Sequence, residues 1–240
     1  MKKVRKVFVG ILALTIGVFT LVSCNKSDPT PLYAVVDVFV QDIKTDDGVK
    51  YGIFVYATAN YEIKSATVTG PGTGGEVYQL TASSNKQQFV FIPATADYTS
   101  EFPAVGNYSF EITSVNDEQL TGIDAVGAEK LAPILIKTAT FTDHLLKTSW
   151  DNLTGADAYV VNFYSADKSK FIFSSNYLAS DLVEFEFGST TSGWASGESP
   201  VANTSYVLEL LGVRAEAGAT SDQGNNLQFI TLDSKTITWQ

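Results

Sequence analysis

The sequence predicts an all-β chain built as two antiparallel sandwiches in tandem, and three observations carry that expectation. Beyond residue 32 no segment keeps an apolar stripe at helical period. Period-2 alternation recurs instead: Val36, Val38 and Val40 share one face, as do Tyr108, Phe110 and Ile112, and Tyr206, Leu208 and Leu210. Turn-forming clusters punctuate these runs at Asp46-Asp47-Gly48, Gly70-Pro71-Gly72, Gly74-Gly75 and Ser221-Asp222-Gln223-Gly224. Finally, two strand motifs repeat together. Phe89-Val90-Phe91 returns as Phe185-Glu186-Phe187 after 96 residues, and Tyr108-Ser109-Phe110-Glu111-Ile112 returns as Tyr206-Val207-Leu208-Glu209-Leu210 after 98.

Taken in chain order, the first 23 residues read as an export signal. A cationic stub, Met1 to Lys6, precedes 17 uncharged residues from Val7 to Ser23, short for a membrane-spanning helix of about 20. The run closes on Leu21-Val22-Ser23-Cys24, which resembles the lipobox of bacterial lipoproteins. That resemblance implies cleavage before Cys24 and acylation of its sulfur and its amine. One acyl chain anchors marginally, at about 0.8 kcal/mol per CH₂, whereas two or three hold firmly. Asn25 follows, and Lys26-Ser27-Asp28 is similar to the export signal of Bacteroidetes surface lipoproteins, which implies the outer membrane and display at the cell surface. Residues 24–32, with Pro29 and Pro31, read as an extended tether.

The remainder divides at Ala132-Pro133 into 33–132 and 133–240, each the size of an immunoglobulin-like sandwich. In the second unit, Leu146-Lys147-Thr148-Ser149-Trp150 followed by Gly155-Ala156-Asp157-Ala158-Tyr159-Val160-Val161 resembles strands B and C of fibronectin type III domains. Thr204-Ser205-Tyr206-Val207-Leu208-Glu209-Leu210 resembles their strand F. The likeness implies that Trp150 and Tyr206 are packing residues, Tyr206 as a tyrosine corner. The stretch from Gly188 to Pro200 is longer and richer in Gly and Ser than that family's usual connection.

Composition narrows the chemistry. The four basic residues before Cys24 leave 12 of the 16 against 26 acids, a net charge of −14, which repels phosphate backbones and excludes nucleic acid as a partner. One His and one Cys among 240 residues argue against most metal sites and nucleophile–base pairs and exclude internal disulfides. His144 reads as a solvated strand-edge residue, and Glu184 and Glu186, alternating with Phe185 and Phe187, as the wet face of a strand. Asp46-Asp47-Gly48 and Asp222-Gln223-Gly224-Asn225-Asn226 place oxygen ligands beside glycine but lack the EF-hand spacing and suit turns better. No catalytic residue, metal or cofactor is expected.

Two aromatics outside the alternating runs are candidate ligand contacts. Trp194, in Ser192-Gly193-Trp194-Ala195-Ser196-Gly197, and Tyr98, in Asp97-Tyr98-Thr99-Ser100, lie in polar loops. Trp194 admits two readings, a ring offered to a sugar or an apolar partner pocket, or a plug folded back into its own sandwich. The expected function is a non-catalytic adhesion or binding module, attached to the membrane through lipid on Cys24, with a protein or glycan ligand. A glycan-binding accessory of a polysaccharide-uptake system is the alternative. A fimbrial subunit is the second alternative, disfavoured because no arginine occurs between Arg5 and Arg214.

Overall fold

A computed structural model describes residues 31–71, 77–219 and 226–240. Among these residues there is no α-helix, and none of the structure is long and apolar enough to cross a membrane as a helix. The first half holds β1 (Ala34–Thr45), β2 (Gly48–Ala59), β3 (Ile63–Thr69), β4 (Tyr78–Gln79), β5 (Thr81–Ala82), β6 (Gln88–Phe91), β7 (Gly106–Ser114) and β8 (Gln119–Val126). The second holds β9 (Thr138–Thr142), β10 (Leu145–Ser149), β11 (Ala158–Ser165), β12 (Phe171–Ser174), β13 (Leu178–Ala179), β14 (Glu184–Phe187), β15 (Ser205–Ala215) and β16 (Leu227–Thr238).

Strand order identifies the sandwiches. In the first, β1-β2-β6-β5 faces β4-β3-β7-β8, and in the second β14-β10-β9 faces β12-β11-β15-β16. Lettered by position, each half sets an A-B-E sheet against a C′-C-F-G sheet, the fibronectin type III arrangement, with a two-residue D strand added in the first half. The repeated motifs occupy matching places. Phe89–Phe91 and Phe185–Phe187 form the E strands, and Tyr108–Ile112 and Tyr206–Leu210 lie in the F strands. Both F strands carry a tyrosine corner. The Tyr108 hydroxyl donates to the Ala104 carbonyl at 3.2 Å, and the Tyr206 hydroxyl accepts the Val201 N–H at 2.9 Å.

The halves do not follow one another like beads. β1 pairs in parallel with β16 over Val40↔Phe229 to Ile43↔Leu232, so two four-stranded sheets merge into one nine-stranded sheet, with β13 attached at β11. Side-chain alternation then decides which residues meet. Val38 and Val40 lie on the same face as Phe229 and belong to the first core. Eight residues along β16, on that same face, Ile237 packs on the second core with Tyr206, Leu208 and Leu210. The two small sheets therefore sit side by side on one face of the large sheet.

The opposite face holds a third core drawn from both halves. Phe39, Phe54, Tyr56 and Tyr98 meet Leu211, Val213, Leu227, Ile230 and Leu232, with Phe39 and Phe54 stacked at 5.3 Å. Paired segments buried on both faces follow: Asp37 to Asp42 of β1 and Leu227 to Leu232 of β16 are each buried throughout. The connection at Ala132-Pro133 is fastened rather than free. Leu131 enters the first core and Ile134 the second, while the Ile134 and Ile136 N–H groups donate to Thr231 Oγ1 at 3.0 Å and Asp233 Oδ2 at 2.7 Å.

Removing one corner hydroxyl tests the F-strand register. Tyr206→Phe keeps the ring stacked on Phe163 at 4.7 Å but leaves the Val201 N–H without its acceptor. A loss of about 1 kcal/mol is expected in urea denaturation, and an unchanged midpoint would show that this bond holds nothing.

Candidate ligand-binding groove

An open groove of about 550 Å³ runs along the first sandwich, bounded by Tyr51 and Ile53 of β2, Tyr78 of β4, Phe91 of β6 and the segment 93–104. β2 supplies its wall because Tyr51 and Ile53 alternate onto the first-core face. The segment 93–104 is held there by a backbone bridge. Tyr51 N–H donates to the Thr99 carbonyl at 2.7 Å, and Thr99 N–H donates back to the Tyr51 carbonyl at 3.0 Å. Gly52 permits this approach, since a Cβ there would fall 2.8 Å from the Tyr98 ring.

The lining is aromatic with acid at its rim. Tyr78 and Phe91 stack at 4.7 Å, and Tyr51 meets Phe102 edge-on at 5.3 Å. Phe102 lies over Phe229 at 6.2 Å, and Lys130 Nζ stands 4.0 Å from the Phe102 centroid and 5.0 Å from that of Tyr51. All four groove aromatics are half-buried, whereas Asp97, Thr99 and Glu101 are exposed. Burial first, and then the charge of Asp42 on the neighbouring strand, raise the Tyr51 phenol above its ordinary range, so it stays a neutral O–H. Ring faces, a phenol and carboxylate acceptors suit a ligand with both C–H and hydroxyl surface.

The residues singled out in the sequence lie elsewhere. Trp194 is not offered to solvent: it is half-buried on the second core, 4.9 Å from Phe173 and 5.9 Å from Trp239, with its indole N–H donating to the Gly188 carbonyl at 3.1 Å. Its loop pairs with the edge strand β12, Ser174 N–H to Gly193 carbonyl at 3.1 Å and Ala195 N–H to Ile172 carbonyl at 2.9 Å. Gly193 makes this possible at φ +119°, where a Cβ would strike the Ser174 carbonyl at 2.2 Å. The length of this loop is thereby explained, because it covers a sheet edge.

Tyr98 is likewise corrected. It is 8% exposed, packs in the third core and takes a hydrogen bond from Gln41 Nε2 at 3.1 Å. Both rings thus pack against their own cores. Cys24 and the tether to residue 30 lie outside the described residues, as does the 220–225 portion of the second glycine turn.

Several other residues take the places their patterns suggest. His144 is exposed in the two-residue turn joining β9 and β10, where Asp143 and His144 have φ of 51° and 65°. Asp46 and Asp47 form the β1–β2 turn, and Glu184 and Glu186 are exposed, Glu184 paired with Lys147 at 2.8 Å. What the sequence reading missed is the set Tyr51, Tyr78, Phe91, Phe102 and Lys130. The available signal was the proline-bounded stretch Pro93 to Pro103, which ends in the acid–aromatic pair Glu101-Phe102.

No protein-family profile matches the chain, and no curated protein is similar to it. Among solved structures it is similar to the chicken CNTN1 FN1-FN3 domains, at 9% identity and a TM-score of 0.30, over 78% of this chain and 62% of that one. At that score the likeness carries no weight, and the fold assignment rests on strand order.

Trp194→Ala separates a structural ring from a ligand contact. Because the indole fills a gap between the two sheets, the substitution is expected to lower stability by about 3 kcal/mol in chemical denaturation. A change under about 0.5 kcal/mol would return the ring to the surface.

Proposed function

We propose that this chain is a non-catalytic binding module, tethered to the bacterial outer membrane by lipid on Cys24 and displayed at the cell surface. The observation that supports binding is the groove: half-buried aromatic rings, Tyr51, Tyr78 and Phe91 on strands and Phe102 on the bridged segment, opening beside exposed Asp97, Thr99 and Glu101. Rings held by a sheet lose little freedom when a ligand docks, so contact area converts into affinity with a small ordering cost. The anchor is supported by the cationic stub, the uncharged run and the Leu21–Cys24 motif.

A glycan is the second reading of the ligand, favoured over a protein by the mixture of ring faces with carboxylate and hydroxyl groups in one open groove. Sugar rings present C–H edges to aromatic faces and hydroxyl donors to carboxylates. All three tryptophans, Trp150, Trp194 and Trp239, belong to the second core, so intrinsic indole fluorescence does not report on this groove.

Three experiments test the proposal. Mass spectrometry of the protein from its native membrane is expected to find an acylated N-terminus at Cys24, and protease added to intact cells is expected to degrade the chain while sparing a periplasmic control. A retained leader without fatty acyl mass would overturn the anchor. For the groove, calorimetric titration with a polysaccharide panel and with surface proteins is expected to yield a ligand whose affinity drops at least tenfold in Phe102→Ala. Equal affinity in that variant would remove the groove from the function.

A further inference from the structure

The parallel contact that joins the two sandwiches is four residue pairs long, with Asp42 inside it and Asp37, before it on the other face of β1, reaching β16 through its side chain. On the third-core face Asp37 is fully buried. Its Oδ2 accepts the Tyr56 hydroxyl at 2.7 Å and the Leu227 N–H at 3.0 Å, while Oδ1 has no hydrogen-bond partner. Asp124 of β8 reaches the same strand, its Oδ2 accepting the Val38 N–H at 2.5 Å, and it also shares a hydrogen bond with Glu216, just past β15. On the opposite face Asp42 is 1% exposed and is hydrogen-bonded by Thr231 and by the Leu232 backbone, with its Oδ1 unpaired.

The titratable groups that act on these carboxyls are themselves acids or phenols, while Lys130 stands over the Tyr51 and Phe102 rings and Lys168 pairs with Glu209 at 2.6 Å. Asp124, Tyr56 and Glu216 act on Asp37, Asp124 acts on Glu216, Tyr177 lies near Tyr56, and Tyr51 stands beside Asp42. The cation of β15, Arg214, is engaged by Glu129 and by the Gly155 carbonyl. Asp37, Asp42 and Glu216, buried or half-buried with no cation paired to them, hold their protons more tightly, because a bare charge in a dry seam costs more than the hydrogen bonds it gains. We propose that the seam is a proton-dependent latch: protonated carboxyls close β1 onto β16, and their ionisation loosens the two sandwiches from each other.

Burial chiefly, then repulsion from Asp124, raises Glu216 to about 7; burial lifts Asp42 to about 6 and holds Asp37 well above the ordinary carboxylate range. All three folded values lie above the unfolded ones, so the folded chain binds more protons through this interval. Stability is therefore fullest at the acid end and falls as pH rises through about 6 and 7. Asp167 works in the other direction, since hydrogen bonds from Ser169 and Ser165 lower it to about 2. Its contribution is lost only below the ordinary carboxylate range, and a window from pH 5 upward avoids it.

Urea denaturation of the full chain between pH 5 and 8.5 tests the latch. The unfolding equilibrium constant is expected to rise at least about tenfold across the window, the effect of a pKa difference of about one between folded and unfolded chain, after discounting for the water that reaches Glu216. Glu216→Gln and Asp42→Asn together are expected to flatten the profile. Amide exchange gives the local readout: Val38 and Leu227 should lose protection above pH 7 relative to amides of β7. A wild-type profile flat in pH, or a double variant with the wild-type slope, would refute the latch. So would calcium restoring stability at pH 8 in the wild type alone, which would make the seam a cation site instead.

Discussion

The pairing of the first described strand with the last governs this molecule. Parallel strands need a long connection between them, and here that connection is nearly the whole chain, from Thr45 to Leu227. Closing it turns two ordinary sandwiches into one body with three cores. It also explains why β1 and β16 are buried on both faces where they pair: each is an interior strand of a wide sheet rather than the edge of a small one. Bringing the ends of so long a connection together costs chain entropy, and the third core offsets that cost by burying Phe39, Phe54, Leu211 and Ile230 across the joint.

The two halves then use the same plan differently. Each has a connection from its E strand to its F strand, residues 92–105 in the first and 188–204 in the second. In the second half this connection turns inward, pairs with β12 and sets Trp194 among Phe173, Phe187 and Trp239. In the first it bridges to β2 and leaves Phe102 and Tyr51 lining an open groove. One sandwich is stopped with its own indole; the other keeps an aromatic opening. That asymmetry is why the proposed ligand contact is sought in the first half.

Much of this was legible in the sequence, and the failures have a common cause. Local alternation revealed the strands, and the paired offsets of the Phe and Tyr motifs pointed to two sandwiches of one plan, whose E and F positions the strand order then supplied. The merged sheet was hidden because period-2 reading assumes one wet face. Val36, Val38 and Val40 do line one side, yet Asp37, Phe39 and Gln41 are buried on the other. Leu210 and Leu211 in succession, and Val213 after them, break the alternation of β15 and carried the signal of a strand covered on both sides. Tyr98 was misread, and Trp194 was left open between two readings, for a related reason: polar neighbours mark a loop, but they do not reveal which way its backbone hydrogen bonds turn it.

Whether the two sandwiches are one cooperative unit is the question on which the architecture stands. Differential scanning calorimetry of the full chain at pH 5 answers it. A single transition is expected, with calorimetric and van't Hoff enthalpies equal, because neither half can expose its side of the third core without the other. Two separate transitions, each with the enthalpy of about 100 residues, would contradict a shared sheet and restore a pair of independent domains.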